Sequence, residues 1–291
     1  MLKIQINDYF FAYQLEGNYN QPAILFLHGF MGDRHEFDAV IAVLSNYFCC
    51  VAIDLLGHGD TRSISAIASE SNYTMASTAN FVIKLLDKLK LQPCHLVAYS
   101  MGGRLALYLT IFYPDYFRKV AIESASAGLV DESARLSRQK QDFLLAQKLE
   151  NMHSKFKAVA LPQLQTLGQT NPFALFLESW YQQSIFGDLR SHPNFPQLLA
   201  QRLNNSPLEL ARSLRNLGLG TQRSLWDKLG EIDNPMLLVA GELDQKFVQI
   251  NQQIALQVRF SKLEIIDDCG HNTHFEKPEL FAQKILDFLR N

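Results

Sequence analysis

Short continuous apolar runs alternate along this chain with stretches whose apolar positions recur every three or four residues. Leu2 to Ile6 and Phe10 to Leu15 predict two strands around an Asn7-Asp8 turn. Ala23 to Leu27 and Phe48 to Ile53 are uninterrupted apolar runs, the pattern of strands buried on both faces. Glu36 to Leu44 has helical spacing, and Thr74 to Leu89 sets Met75, Phe81, Val82, Leu85, Leu86 and Leu89 on one helical face. A strand from His95 to Tyr99, a helix from Arg104 to Phe112 and a strand from Phe117 to Ile122 follow, with Tyr113-Pro114 ending the helix. Farther on, Met236 to Ala240 and Leu263 to Ile266 predict strands, and Val248 to Val258 and Pro278 to Leu289 predict helices.

Strands alternating with helices predict an α/β fold, a mainly parallel central sheet with helices on both faces. The rhythm breaks from about Leu129 to Leu219, where only helical patterns remain, interrupted at Leu161-Pro162, Asn171-Pro172 and His192-Pro193. Because the strand-helix pattern resumes afterwards, 129–219 reads as a helical cap inserted into a core of 1–128 and 220–291. A second independent domain is the alternative.

The chemistry starts at Tyr99-Ser100-Met101-Gly102-Gly103-Arg104. A strand running through one serine into a helix, with small residues around it, has the layout of a nucleophile elbow. Ala98 stands where the pattern usually has its first glycine. A serine hydroxyl needs an imidazole to take its proton and a carboxylate to orient that imidazole. Asp244, at the end of the run Met236 to Asp244, and His271, in a Gly-His loop after Ile265-Ile266, have the expected order. Asp267, Asp268 and Glu123 are alternative acids. His271 and His274 have the spacing of a metal pair, but no third ligand accompanies them, so no metal is expected. Leu27-His28-Gly29-Phe30 supplies a second turn after a strand. The backbone N–H groups of Phe30 and Met101 would form an oxyanion hole, with His28 bracing the loop. The Asp54 to Gly59 loop reads as structural. These pieces in this order predict the α/β-hydrolase fold.

Composition narrows the function. The 291 residues carry a net charge of -2 with charges interspersed, which leaves no basic footprint for nucleic acid. No apolar run approaches the length of a membrane span. Met1 to Gly17 lacks the basic start and apolar core of a signal peptide. Cys49, Cys50, Cys94 and Cys269 form no C-x-x-C pair, which predicts free thiols and a cytoplasmic protein.

Arg104 lies one helical turn after Ser100, and helical side chains lean toward the N-terminus, so its guanidinium is directed toward the serine. A structural salt bridge would account for it; so would a substrate carboxylate, held bidentately. Arg135, Arg138 and Asp142 share a helical face of the cap, and Arg202 lies farther along it. A solvated cap surface would account for any one of these arginines equally well.

From about Phe26 to Pro278 the chain resembles the 2-succinyl-6-hydroxy-2,4-cyclohexadiene-1-carboxylate synthase family of menaquinone and phylloquinone biosynthesis. The resemblance rests on Leu27 to Gly32, Tyr99 to Arg104, Ser179-Trp180-Tyr181-Gln182-Gln183, Gly241 to Phe247 and Gly270 to His274. Glu123 to Leu129 departs from the glycine-rich version usual in the family. The resemblance implies a catalytic triad of Ser100, Asp244 and His271. It also implies carboxylate-binding Arg104, Arg138 and Arg202, and aromatic pocket residues Tyr99 and Trp180. The implied activity is a lyase needing no cofactor, which expels pyruvate from a small tricarboxylate after Ser100, activated by His271, takes a ring proton. A serine hydrolase acting on an ester, thioester or C–C bond of a small acidic substrate is the alternative. A non-catalytic binding protein on the same fold is a third.

Overall fold

The computed structural model describes residues 1–65, 69–158 and 171–290; Leu161-Pro162 lies outside them. Its sheet is built from β1 (Leu2–Ile6), β2 (Tyr9–Glu16), β3 (Ala23–Leu27), β4 (Cys49–Ile53), the short β5 (Arg62–Ser63), β6 (Cys94–Tyr99), β7 (Phe117–Glu123), β8 (Met236–Gly241) and β9 (Ser261–Ile266). The strand order is β1-β2-β4-β3-β6-β7-β8-β9, with β5 against β2. β1 and β2 run antiparallel, and every pairing from β4 to β9 is parallel. The strands β3, β4, β6 and β8 are buried throughout, with His95 of β6 interrupting an otherwise apolar series. Helices cover both faces, so a polar residue on either side of these strands would be buried without water.

One face packs against α2 (Met75–Leu89), α3 (Met101–Phe112) and α8 (Gln245–Gln257), through residues such as Phe81, Leu85, Leu105, Leu109 and Ile254. The other packs against α1 (Asp38–Leu44) and α10 (Pro278–Arg290), through Val40, Ile41, Phe281 and Ile285. Between β7 and β8 in sequence, the described residues hold α4 (Glu132–Ala158), α5 (Pro172–Trp180), α6 (Phe195–Arg202) and α7 (Pro207–Leu217), and no strand. The Asn171-Pro172 interruption is a helix start. The Asn171 side chain accepts from the Phe173 N–H at 2.9 Å, and Pro172 occupies the first turn of α5, where its missing N–H costs nothing. These helices form their own apolar clusters. The first of these includes Met31 from the loop after β3, which joins the helices to the sheet.

The chain goes from β3 outward to β4 and then returns to β6 on the opposite side of β3. This reversal opens a crevice at the carboxyl ends of β3 and β6, the place where open α/β sheets bind ligands. The two turns there touch through backbone. A Cβ on Gly102 would lie 2.3 Å from the Leu27 carbonyl oxygen and 2.6 Å from that of His28. Only glycine allows α3 to start this close to the end of β3.

A buried chain of charges ties the helices to the sheet. Arg202, at the end of α6, is ion-paired with Glu36. Glu36 also accepts from His274 Nε2 at 3.2 Å, and His274 Nδ1 meets Glu123 Oε2, at the end of β7, at 2.6 Å. His274 lies in the short helix α9 (Thr273–Glu276), whose N–H of His274 and hydroxyl of Thr273 both donate to Glu123. Burial alone would raise the Glu36 carboxyl, but Arg202 and His274 outweigh it and hold it down to about 2. Burial alone would lower the His274 imidazolium, but Glu123 and Glu36 outweigh it and push it up to about 9.

Gly102→Ala is expected to cost about 2–3 kcal/mol in urea unfolding, because the colliding atoms are backbone. Gly230→Ala, where no atom lies within 4 Å, is expected to leave stability unchanged. The charge chain sets a pH window. A raised His274 stabilises fully below its ordinary value of 6.5, and this is lost as pH rises through about 9. A depressed Glu36 stabilises fully above 4.5, and this is lost as pH falls through about 2. The stability difference between wild type and His274→Gln should therefore be constant near pH 5–6. It should shrink by on the order of 3 kcal/mol between pH 6.5 and 9.5.

Candidate active site

Ser100 occupies the turn between β6 and α3 with φ 50° and ψ -106°, a left-handed backbone conformation that an L side chain adopts at a cost. Its N–H donates to the Glu123 carbonyl at 2.9 Å, and its own carbonyl accepts from Arg104 at 3.0 Å. These bonds hold the turn in its strained form with the hydroxyl facing the crevice. The small residue expected before the turn is Ala98, which is buried within β6, and Gly103 packs against Ala125 and Ile122.

His271 Nε2 lies 3.0 Å from Ser100 Oγ, and His271 Nδ1 lies 2.5 Å from Asp244 Oδ2. Asp244 is buried; its other oxygen caps α8 by accepting from the Phe247 N–H at 3.3 Å. With Nδ1 donating to this carboxylate, Nε2 is the nitrogen free to receive a proton from Ser100. The rings of Phe247, Tyr99 and Phe186 meet the imidazole at centroid distances of 4.6, 5.3 and 5.8 Å and fix its plane. Of the other acids, Glu123 binds His274 rather than His271. Asp268 is exposed and turned toward Lys277, and Asp267 is exposed as well. Both ring nitrogens of His274 are taken by carboxylates, so the pair His271 and His274 does not converge on a common point.

The loop after β3 is held from two directions. His28 Nε2 accepts from the Leu55 N–H at 2.9 Å, so Nδ1 carries the proton and donates to the Gly29 carbonyl at 2.7 Å. Burial lowers the pKa of His28 and keeps it neutral in this bracing role. Asn205 donates to the Met31 carbonyl at 2.8 Å and accepts from Gly59 at 2.9 Å, linking this loop to the 54–59 loop. In the 54–59 loop Asp54 is paired with Arg34, as suits a structural element. Phe30 and Met101 both line the cavity beside Ser100. Met101 is the first residue of α3, so its N–H has no acceptor within the helix.

The cavity measures about 180 Å³. Its wall includes Ser100, His271, Tyr99, Trp180, Arg104, Arg138, Arg202 and Lys246, and among the described residues lining it there is no aspartate or glutamate. Each arginine is held differently. Arg104 donates to the Gln222 amide oxygen at 2.7 Å and the Leu217 carbonyl at 2.8 Å. Neither acceptor is charged, so the salt bridge that would have explained Arg104 structurally is not what holds it. Burial, with Arg138 nearby, pulls its pKa down to about 10 despite Asp142, which leaves it cationic at neutral pH. Arg138 is oriented by Asp142 one turn along α4, Nε to Oδ1 2.7 Å, while Arg135 pairs with Glu132 away from the cavity wall. Arg202 is buried and tied to Glu36, with Tyr181 accepting from its Nε at 3.1 Å.

Tyr99 is buried, its hydroxyl donating to Asn272 at 2.7 Å, and its ring lies where a Cβ on Gly29 would fall. Trp180 closes the wall against Phe30 at 5.7 Å between ring centroids. Sequence reasoning missed Lys246, Phe247, Ser124 and Ser213 as wall residues. Lys246 and Phe247 had a signal, since they follow Asp244 in the first turn of α8. Ser213, inside the amphipathic α7, had none.

Comparison with known proteins places the fold and the family. Residues 22–278 match the family described as alpha/beta hydrolase fold. A Bacillus subtilis (strain 168) protein provisionally named 2-succinyl-6-hydroxy-2,4-cyclohexadiene-1-carboxylate synthase is 32% identical, over 94% of this chain and 92% of its own. The Serratia proteamaculans (strain 568) protein named 2-succinyl-6-hydroxy-2,4-cyclohexadiene-1-carboxylate synthase is 29% identical, over 95% of this chain and 96% of its own. The structure of MenH from S. aureus superimposes with a TM-score of 0.82 at 31% identity, covering 98% of each chain. An enol-lactonase from Burkholderia xenovorans LB400, at 20% identity and a TM-score of 0.77, shares the fold. The chain therefore belongs to the α/β-hydrolase family and, within it, to the 2-succinyl-6-hydroxy-2,4-cyclohexadiene-1-carboxylate synthases.

Proposed function

We propose that this protein eliminates pyruvate from 2-succinyl-5-enolpyruvyl-6-hydroxy-3-cyclohexene-1-carboxylate, giving 2-succinyl-6-hydroxy-2,4-cyclohexadiene-1-carboxylate. The observation that carries the reading is the cavity wall. Three arginines and a lysine surround Ser100 and His271, and no carboxylate stands among the described lining residues. In a chain of net charge -2 that separation of charge suits a small polyanion.

The chemistry follows from the substrate and the hydrogen bonds. The ring hydrogen beside the succinyl carbonyl is acidified by that carbonyl. Ser100 takes it while passing its own proton to His271 Nε2, and Asp244 stabilises the resulting imidazolium. The Phe30 and Met101 N–H groups stabilise the enolate oxygen. Its electrons return through the ring double bond, the C–O bond to the enolpyruvyl group breaks, and His271 returns the proton to the departing group. No water is consumed. Arg104, Arg138 and Arg202 hold carboxylates, and Tyr99 and Trp180 bound the ring.

The helices of 129–219 act as a cap over this site, since they supply Arg138, Trp180 and Arg202 to its wall. The four cysteines are buried free thiols, which suits a reducing compartment, and a cytoplasmic location is proposed. Among the described residues no helix is long and apolar enough to cross a membrane. The product serves menaquinone or phylloquinone synthesis.

A serine hydrolase would use the same Ser100 and His271 contact. It is distinguished by an acyl-enzyme burst and by consumption of water. Ser100→Ala is expected to abolish pyruvate release, at least a thousandfold in kcat; turnover at the wild-type rate would remove the role given to Ser100. Arg104→Ala is expected to lower kcat/KM for the tricarboxylate by about a hundredfold. The same substitution should change cleavage of a neutral nitrophenyl ester less than threefold. Equal losses on both substrates would show that Arg104 serves the elbow and not a carboxylate.

A further inference from the structure

The guanidinium of Arg202 is only partly used by the protein. Nη2 goes to Glu36 and Nε to Tyr181, but Nη1 is buried and has no partner among the described residues, while Arg202 itself lines the cavity. An unpaired buried donor costs free energy unless a ligand completes it. Behind it lie two carboxylates, Glu36 and Glu123, and His274, which bonds both and, among the described residues, is the further group placed to balance them. With His274 protonated, this cluster of four is neutral. With His274 neutral, it carries one net negative charge directly behind the arginine.

We propose that His274 is a positioning residue for substrate binding. Its proton balances Glu36 and Glu123, so that Arg202 stays oriented by Glu36 yet presents Nη1 to a substrate carboxylate against a neutral background. This rests on the polyanionic substrate argued above. His274 does not touch Ser100 and is not itself part of the cavity wall. It meets that wall through the Tyr99 ring, at 4.7 Å between centroids, and its charge acts through Glu36 and Arg202, so its effect is expected on binding and not on proton transfer.

Of the groups that face its ring, His274 is the one that titrates near pH 9; Arg104, on the same cavity wall, is held at about 10 and stays mostly protonated up to pH 9.5, which bounds the range to be read. Glu123 and Glu36 face its ring from the end of β7 and from the loop before α1, with Arg202 beyond Glu36. Glu276, on its own short helix, is pushed up by burial to about 7 and is ionised in this range. Burial raises the Tyr99 phenol well above its ordinary value of 10, and the Tyr181 phenol is raised as well. The rings of Phe37 and Phe281 complete the packing and carry no charge. Wild-type KM is therefore expected to rise as pH passes through about 9 while kcat stays level.

The test is pyruvate release by wild type, His274→Gln, and the double variant His274→Gln with Glu123→Gln. One unbalanced charge at this range should raise KM about tenfold in the single variant, with kcat changed less than threefold. The double variant restores neutrality and should return KM to within about threefold of wild type, with no alkaline rise. A loss that falls on kcat, or one that the double variant does not repair, overturns the proposal. If the single variant does not fold, the wild-type profile decides alone below the range in which Arg104 loses its proton, and a KM flat from pH 7.5 to 9.5 overturns it. If wild type releases no pyruvate, the functional reading fails separately. The positioning is then read from calorimetric binding of tricarballylate. Weakening in the single variant and recovery in the double support it; equal affinities in all three, or no binding by wild type, overturn it.

Discussion

The contact on which the rest of this structure depends is between the start of α3 and the end of β3, where Gly102 lies against the carbonyls of Leu27 and His28. With no side chain between them, the two turns at the carboxyl ends of β3 and β6 share one crevice. That contact sets Met101 and Phe30 on the same side of Ser100. It also keeps Ser100 in a backbone conformation that a free chain would leave. The cost of the strained turn is offset by the buried sheet around it, where β3 and β8 contribute only apolar side chains and β6 is interrupted by the buried His95.

The second organising constraint is where the protein puts its negative charge. Asp142, Glu36 and Glu123 stand behind the cavity wall, Asp142 bonded to Arg138 and the Gly220 N–H, Glu36 to Arg202 and His274, and Glu123 to the His274 ring and two further donors. The cations stand in front. Arg138 and Arg202 are oriented by carboxylates, whereas Arg104 is oriented by an amide and a backbone carbonyl and so keeps its full charge for the cavity. These arrangements differ in consequence. A neutral brace leaves the field of the arginine undiminished, and a carboxylate brace needs a further cation if the site is to remain attractive to anions.

Much of the fold was legible along the chain because its strands are buried on both faces, which makes them continuous apolar runs ended by glycine, proline and turn residues. The hydrogen-bonded series Ser100, His271 and Asp244 was legible for a related reason. In this fold Ser100, Asp244 and His271 each follow a strand, so order along the chain stands in for position in space. The Asn171-Pro172 pair shows the limit, since the same two residues read as a break and act as a helix cap with a first-turn proline. The β5 pairing and the short α9 were too brief to leave a periodic signal.

What the sequence by itself determined was the sheet, its helices, the order of the chemical groups and the presence of several arginines beyond the serine. Which arginines reach one wall is set by the packing of distant segments, since their spacing along 129–219 suits a solvated surface equally well. The same packing joined Glu36, Glu123, Arg202 and His274, residues from a loop, a strand end, α6 and a short late helix. The physical reason is range. Hydrophobic periodicity is local and repeats within each element, whereas a buried charge finds its partner only once separate elements have packed and excluded water.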